Sequence, residues 1–321
     1  MSKINKCRAC KNSNLKNLLS LGNQSFTGIF PKKRNLNVPS GKLNLVMCSH
    51  CRLVQLDRNF SLKKMYGKNY GYRTGLNTSM VSHIYEKVDF IKSKIDLKKN
   101  DLVIDIGSND GTLLNYINNK KLKLIAVDPT IKKFSKYYNK NIIKISNFFS
   151  FEAVKKKLKK QKAKLITSIA MFYDLPDPVK FSKDIYSCLD DNGIWHLEQS
   201  YSKFMLEKKS YDTVCHEHLE YYSIFSLKNI LKMANLKIID VSFNKINGGS
   251  FAITAVKTNS LFKESKKLDK LIYLENKYNI NSPLSYKLFF KKISENKRTI
   301  LKFFEKVKKQ KKKSFRVWSF N

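Results

Sequence analysis

The sequence predicts an α/β protein built on a parallel sheet, and three observations predict it. Strand-like and helix-like patterns alternate from residue 101 onward, a glycine-punctuated turn follows the first strand of that series, and an acidic residue ends the second. Short apolar runs separated by amphipathic stretches imply right-handed crossovers between parallel strands. With 321 residues the chain is long enough for a sizeable core and for two or three domains.

In chain order, residues 1 to about 60 read as a small module with short strands at 43–47 and 53–56. An aromatic, glycine-containing segment follows, from Tyr66 to Gly75. The next stretch, Asn77 to Lys94, predicts a helix because Met80, Ile84, Val88 and Ile91 recur at helical spacing. Strands are then expected at 102–106, 122–127, 141–145, 164–169 and 193–198, with helices between them. Ala170 to Leu175 falls at the C-terminal edge of the fourth strand, where open α/β sheets bind their ligands. Residues 238–243 and 250–256 read as an antiparallel pair around Asn247-Gly248-Gly249. A lysine-rich helical region covers about 262–311, and Phe315 to Phe320 reads as the beginning of another strand.

The most informative stretch is Val103-Ile104-Asp105-Ile106-Gly107-Ser108-Asn109-Asp110-Gly111, followed by an amphipathic helix start. Gly107 permits a sharp turn, and Gly111 lets the helix start lie close to strand and ligand. Any buried strand before a glycine turn can look like this. However, D-x-G-x-x-x-G is not the G-x-G-x-x-G of dinucleotide enzymes. It resembles the first motif of S-adenosylmethionine (AdoMet)-dependent methyltransferases. Such a loop calls for an acid at the end of the next strand to accept from both ribose hydroxyls. Asp128 stands there, 21 residues after Gly107. Acids flanking the loop, Asp105 and Asp110, suit a cationic sulfonium better than a pyrophosphate, which prefers an uncharged helix N-terminus. The expected cofactor-binding residues are therefore Asp105, Gly107, Ser108, Asn109, Gly111 and Asp128.

Composition bounds the rest. Lys and Arg total 63 against 25 Asp and Glu, a formal charge of +38. That invites a nucleic-acid reading. The excess is nearly all lysine, spread along the chain, whereas specific base readout leans on arginine. No specific nucleic-acid partner is therefore expected, although the charge would attract an anionic small substrate. No apolar run of 18 residues and no signal-peptide core occur, so no membrane partner and a cytoplasmic location are expected. Four of the six cysteines form two C-x-x-C pairs, Cys7/Cys10 and Cys48/Cys51, the ligand set of a closed, structural zinc site. His50 lies inside the second pair, but four thiolates make it unnecessary. Cys188 and Cys215 read as small buried residues.

Tyr211 to Ser223 gathers two of the five histidines with acids and tyrosines. If this segment is extended, His216 and His218 share a face and Glu217 takes the other. A histidine beside an acid can serve as a general base near neutral pH. A second metal site and a hydrogen-bonded structural cluster are the alternatives.

Taken together, these pieces resemble the sugar C-methyltransferase family that acts on nucleotide-linked 4-keto deoxysugars. The matching segments are the C-x-x-C pairs, Leu21 to Gln24, Cys51 to Leu56, Tyr70-Gly71-Tyr72, Val103 to Gly111, Tyr211 to Tyr222 and Gly248-Gly249-Ser250, in family order. The resemblance implies a zinc-binding domain over 1–60 and a Rossmann-like class I methyltransferase domain over 61–260. It further implies that 261–321 is the helical start of a C-terminal domain, here incomplete. It implies AdoMet as methyl donor, structural Zn2+ and a nucleoside-diphosphate sugar as substrate. It makes His218 the base that forms an enolate and Glu217 its neighbour. Tyr70 and Tyr72 would line the substrate pocket, where they could donate to the enolate oxygen. The Gly248-Gly249-Ser250 turn is expected close to the substrate. Cys215 replaces a tyrosine common in the family, and Ile169 to Asp174 replaces an asparagine pair, which points to a different substrate subgroup. The rival readings are a methyltransferase for RNA or another polyanion, and a truncated AdoMet-binding protein without turnover.

Overall fold

The computed structural model describes residues 2–27, 29, 37–66, 70–119 and 121–310. The strand expected at 315–320 and residues 67–69 of the aromatic segment lie outside the described residues. The N-terminal part holds β1 (Ser2–Lys3), β2 (Leu15–Ser25), β3 (Ser40–Cys48), β4 (Val54–Leu56) and β5 (Arg58–Asn59), then α1 (Leu62–Met65) and α2 (Thr78–Lys94). The central part alternates: β6 (Leu102–Ile106), α3 (Thr112–Ile117), β7 (Lys123–Val127), α4 (Ile131–Phe134), β8 (Ile143–Ile145), α5 (Phe151–Leu158), β9 (Ala163–Ile169), α6 (Pro178–Cys188) and β10 (Leu189–Ser200). Beyond it come α7 (Ser202–Lys208), β11 (Glu220–Tyr221), α8 (Ile224–Met233), β12 (Leu236–Asn244), β13 (Ser250–Lys257), α9 (Leu268–Lys277) and α10 (Pro283–Lys309).

The main sheet has seven strands in the order β12-β13-β10-β9-β6-β7-β8. β6 pairs in parallel with both β7 and β9, and the parallel run continues to β8 on one side and β10 on the other. β13 inserts antiparallel beside β10, with β12 antiparallel at the edge. This is the Rossmann-like class I methyltransferase arrangement that the alternation predicts. Strand β6 is buried along its whole length, so apolar residues on both of its faces are needed. The chain order reverses at β6, which puts the crevice beyond its C-terminal end, where the glycine loop begins.

Helix α2 starts where predicted, with the Asn77 side chain accepting from the Met80 amide, and it buries Met80, Ile84, Val88 and Ile91. It also buries His83 and Lys87, which periodicity alone does not foresee. Both reach Glu198 on β10, at 2.7 and 2.9 Å, and this places a neutralised carboxylate under the helix. The lysine-rich region is two helices. Asn279 takes a left-handed φ of 54° between them and Pro283 opens the second, at the one helical position that tolerates its missing N–H.

The zinc-module sheet contains a strand from far along the chain, its order being β11-β4-β3-β2. Its core mixes Leu45, Met47 and Leu56 with Leu219 and Tyr221, and with Tyr286, Phe289 and Ile293 of α10. Residues 205–221 and the first turns of α10 therefore close the apolar face that the N-terminal strands cannot cover themselves. Among the described residues, no helix is long and apolar enough to cross a membrane.

Glu275 on α9 is fully buried and accepts from the Ile224 and Phe225 amides (2.6 and 3.0 Å) and from the Tyr201 hydroxyl (2.8 Å). It thereby satisfies two orphan donors at the start of α8. Glu275→Ala leaves those donors buried and unpaired, and should lower unfolding free energy by roughly 3 kcal/mol in urea titrations. A loss under about 0.5 kcal/mol would show that water replaces the carboxylate there.

Candidate active site and metal centre

The four cysteines converge. Their Sγ atoms all lie within 4.8 Å of one another, with Cys7–Cys51 and Cys10–Cys48 each at 3.5 Å. A tetrahedral ZnS4 centre with Zn–S near 2.3 Å requires S···S separations of about 3.8 Å, so the donor set fits zinc. The two turns are built alike: Lys11 and Arg52, each following a pair, take left-handed φ values of 61° and 60°. Their amides donate back to the carbonyls of Cys7 and Cys48. Gln55 Nε2 donates to Cys7 Sγ at 3.3 Å, an outer-shell contact of the kind that orients metal ligands. His50 is exposed and outside the cluster.

The glycine loop leaves the end of β6 with Gly107 at φ 71°, Asn109 at 50° and Gly111 at 81°. These left-handed conformations explain why glycine stands at two of the three positions. Gly111 also meets a contact that the sequence did not announce. A Cβ there would meet the Tyr138 ring at 2.6 Å, so the close approach is to a side chain of the loop's own scaffold. The Tyr138 hydroxyl donates to the Asn109 carbonyl at 2.9 Å and receives the Ser108 hydroxyl at 2.8 Å, which clamps the loop from behind.

Asp128 stands immediately after β7 as predicted. Its Oδ2 accepts from the Asn109 amide (3.0 Å), and its Oδ1 from the Thr130 amide and hydroxyl (2.6 and 2.5 Å). A carboxylate has about four acceptor positions, so one remains for a ligand hydroxyl. Asp105 is buried, takes the Thr167 hydroxyl at 2.6 Å, and is pushed up to about 7 by burial and by the nearby Asp128 charge. Asp110 is spent internally. It holds Arg73 (3.1 Å), the Gly75 amide (2.9 Å) and the Thr112 hydroxyl (2.6 Å), which ties the segment before α2 over the loop. Of the three, Asp105 and Asp128 line the cavity, while Asp110 does not and is neutralised by Arg73.

A cavity opens beyond β6, β7 and β9, with Asp105, Gly107, Asn109 and Asp128 on one side and Tyr66, Tyr70 and Asp174 on the other. Tyr72 also lines it, at 42% exposure, and its carbonyl accepts from the Asn109 side chain at 3.4 Å. Among the described residues, no lysine or arginine lines this cavity. Tyr70 packs against Tyr66 at 5.1 Å, and Tyr66 donates to Asp174 Oδ2 at 2.5 Å. Asp174 is pushed up to about 7 by burial and by Glu217, against the lowering pull of His218 and the Tyr66 bond. Asp174 Oδ1 and Glu217 Oε1 are buried without a hydrogen-bond partner.

The H-E-H segment departs from the expected alternation. The chain bends at His216 and Glu217, so the two histidines separate. His216 turns into the zinc-module core between Phe26 and Phe60, donating to the Gly41 carbonyl at 3.1 Å. Glu217 and His218 instead come together beside Asp174. His218 stacks on Tyr173 at 4.1 Å, and its Nδ1 meets the Thr213 carbonyl at 2.9 Å. The Gly248-Gly249 turn also lies elsewhere than expected. Gly249 (φ 124°) packs on Phe204, where a Cβ would meet the ring at 2.6 Å, and the turn does not line the cavity. Sequence reasoning passed over Tyr66, Tyr138 and Asp174. Asp174 had a signal, its place at the C-terminal edge of the fourth strand. Tyr66 had one too, as the first residue of the aromatic segment, and Tyr138 had none.

Fold and loop define a class I AdoMet-dependent methyltransferase domain joined to a four-cysteine zinc-binding module. Family models match in the same order along the chain: "Putative zinc binding domain" over 7–66, "Methyltransferase domain" over 82–241, and "C-methyltransferase C-terminal domain" over 245–317. The C-methyltransferase NovU of Streptomyces niveus is 24% identical over 266 residues, covering 78% of this chain. The chain spans 60% of that relative's length. It resembles the sugar C-methyltransferase family. Among solved structures, an S-adenosylmethionine-dependent methyltransferase from Clostridium acetobutylicum aligns at 16% identity over 56% of this chain and 98% of its own, with a TM-score of 0.39. A SAM-dependent methyltransferase from Leishmania major aligns at 12% identity over 56% and 77%, with a TM-score of 0.42.

Gly111→Ala forces both a left-handed alanine and a clash with Tyr138, so calorimetry should show AdoMet affinity falling at least tenfold. Retained affinity would mean that the loop can be rebuilt around a side chain. Cys10→Ser should lower bound zinc, measured by atomic absorption, from one ion per chain toward none.

Proposed function

We propose that the chain is an AdoMet-dependent methyltransferase that methylates the carbon next to the ketone of a nucleoside-diphosphate keto-deoxysugar. The observation that carries this reading is the single cavity shared by the cofactor loop and the tyrosine–carboxyl cluster. AdoMet, held by Asp105, the 107–111 loop and Asp128, supplies an electrophilic methyl group on a sulfonium. The protein must then convert an unreactive C–H into a nucleophile.

In this reading His218 is the general base. Its Nδ1–H is committed to the Thr213 carbonyl, which leaves Nε2 to take the proton. Burial pulls the imidazole down, but Cys215, Asp174 and Glu217 outweigh this and push it up to about 10. A base of that strength is better matched to a weakly acidic C–H than an ordinary histidine, although only a small fraction is deprotonated at neutral pH. The C–H electron pair becomes the enolate double bond, and the negative charge collects on the former ketone oxygen. In this reading Tyr70 donates to that oxygen and Tyr72 closes the rim; that both tyrosines line the cavity supports it. The hydroxyl and carboxyl groups of Tyr66, Tyr70 and Asp174 on the described lining support a hydroxyl-rich sugar ring as the group bound there.

Labelled-methyl transfer onto a panel of nucleoside-diphosphate 4-keto sugars tests the reading, and transfer to RNA with none to any sugar would sink it. Because the working base is the deprotonated imidazole, turnover should rise about tenfold per pH unit from neutrality and level off near pH 10. Asp174→Asn removes one of the charges that raise His218, so the inflection should move to lower pH. An unmoved inflection would detach Asp174 from the base. His218→Ala should cost 10²- to 10⁴-fold or more in transfer with AdoMet affinity nearly intact.

A further inference from the structure

The zinc centre and the H-E-H segment are joined by a buried polar chain that neither cofactor binding nor the proposed chemistry uses. Gln55 donates to Cys7 Sγ through Nε2, while its Oε1 accepts from the Arg8 amide at 3.0 Å. The Arg8 guanidinium, 3% exposed, donates to the Leu56 carbonyl (2.6 Å), the Arg58 carbonyl (2.9 Å) and Asn59 Oδ1 (2.8 Å). Its Nε then faces Glu220 Oε1 at 3.5 Å, an ion pair too long to be a hydrogen bond. Glu220 is 1% exposed, sits opposite Gln55 in the β4–β11 pairing, and lies two residues beyond His218. Lys11, just after the first cysteine pair, bridges the Arg8 carbonyl and Asp177, close behind Asp174.

We infer that the Arg8–Glu220 pair is a positioning device through which the four-cysteine turn sets the place of Glu217 and His218, so that zinc governs the acceptor side of the cavity and not the cofactor side. Burial pushes the Glu220 carboxyl well above the usual carboxylate range and Arg8 opposes that shift, while Arg8 itself stands between Cys7 and Cys10 and is fixed by the carbonyls of Leu56 and Arg58. The cofactor side has no such tie. Asp105, Asp128 and the 107–111 loop are held by Thr167, Thr130 and Tyr138, all within the main-sheet domain. The inference rests on the proposed function only in calling the segment catalytic, and its test does not use turnover.

Hydrogen exchange of the zinc-loaded full chain, read by mass spectrometry, tests it with Glu220→Gln. That variant keeps side-chain shape and leaves the carbonyl contacts of Arg8 in place. Exchange in the 216–221 amides should quicken at least tenfold, with zinc still at one per chain and the AdoMet dissociation constant within twofold. Removing zinc from the unaltered protein should give the same local signature. Unchanged exchange in a zinc-retaining variant would overturn the inference, and so would AdoMet affinity falling together with protection, which is general loosening. If Glu220→Gln does not fold, Arg8→Lys keeps the charge but loses the planar fork, and should quicken the same amides. Failure of the unaltered protein to methylate any sugar would remove the proposed function and leave this result standing.

Discussion

Leu219 is gripped from both sides by backbone hydrogen bonds, and much of the candidate site depends on that grip. Its amide donates to the Tyr173 carbonyl at 2.7 Å, and its carbonyl accepts from the Leu56 amide at 2.9 Å. The first bond belongs to the turn after β9 at the edge of the main sheet. The second belongs to the strand leading out of the zinc turn. One residue thus fastens two modules together. The residue before it, His218, is laid against Tyr173 and beside Asp174. Both bonds are buried with Leu219 itself, so breaking either would leave unpaired backbone groups with no water to take them.

The same junction explains the electrostatics. A protein of net charge +38 has gathered carboxyl groups around an internal cavity and kept lysine and arginine off the described lining. Burial opposes ionisation of Asp105 and Asp174, each pushed up to about 7, while Cys215, Asp174 and Glu217 oppose deprotonation of His218. Titratable groups whose environments drive them away from their ordinary values cluster at sites of proton transfer more often than elsewhere. The surface lysines and the acidic interior are therefore separate features, and net charge speaks for the first only.

The sequence showed much of the fold. The alternation of patterns from residue 101 gave every strand of the main sheet to within a few residues, because the central strands are buried and must be apolar. The closing antiparallel pair was marked by its asparagine–glycine turn. The metal centre was visible from spacing alone, since two C-x-x-C turns present four sulfurs whatever joins them. Less visible was anything that depends on a long-range partner. The zinc module recruits β11 and α10 for its sheet and core, and no local pattern in residues 1–60 announces that debt. His216 and His218 looked like a pair by alternation, but the bend between them sends one into an aromatic core and the other against Tyr173, beside Asp174. The tight approach of Tyr138 to Gly111 was likewise invisible, because no spacing along the chain announces it.

Local chemistry written in the sequence determined the sheet, the cofactor loop with its Asp128 partner, and the four-thiol centre. Each rests on short spacings and on backbone conformations that few residues adopt. The tertiary structure alone decided which carboxylates face the cavity, because Asp110 is neutralised by Arg73 from a preceding segment while Asp174 is delivered by a turn after β9. It alone placed His218, Glu217 and Asp174 together. Their meeting is set by hydrogen bonds between residues more than 40 positions apart, a relation that no spacing along the chain encodes.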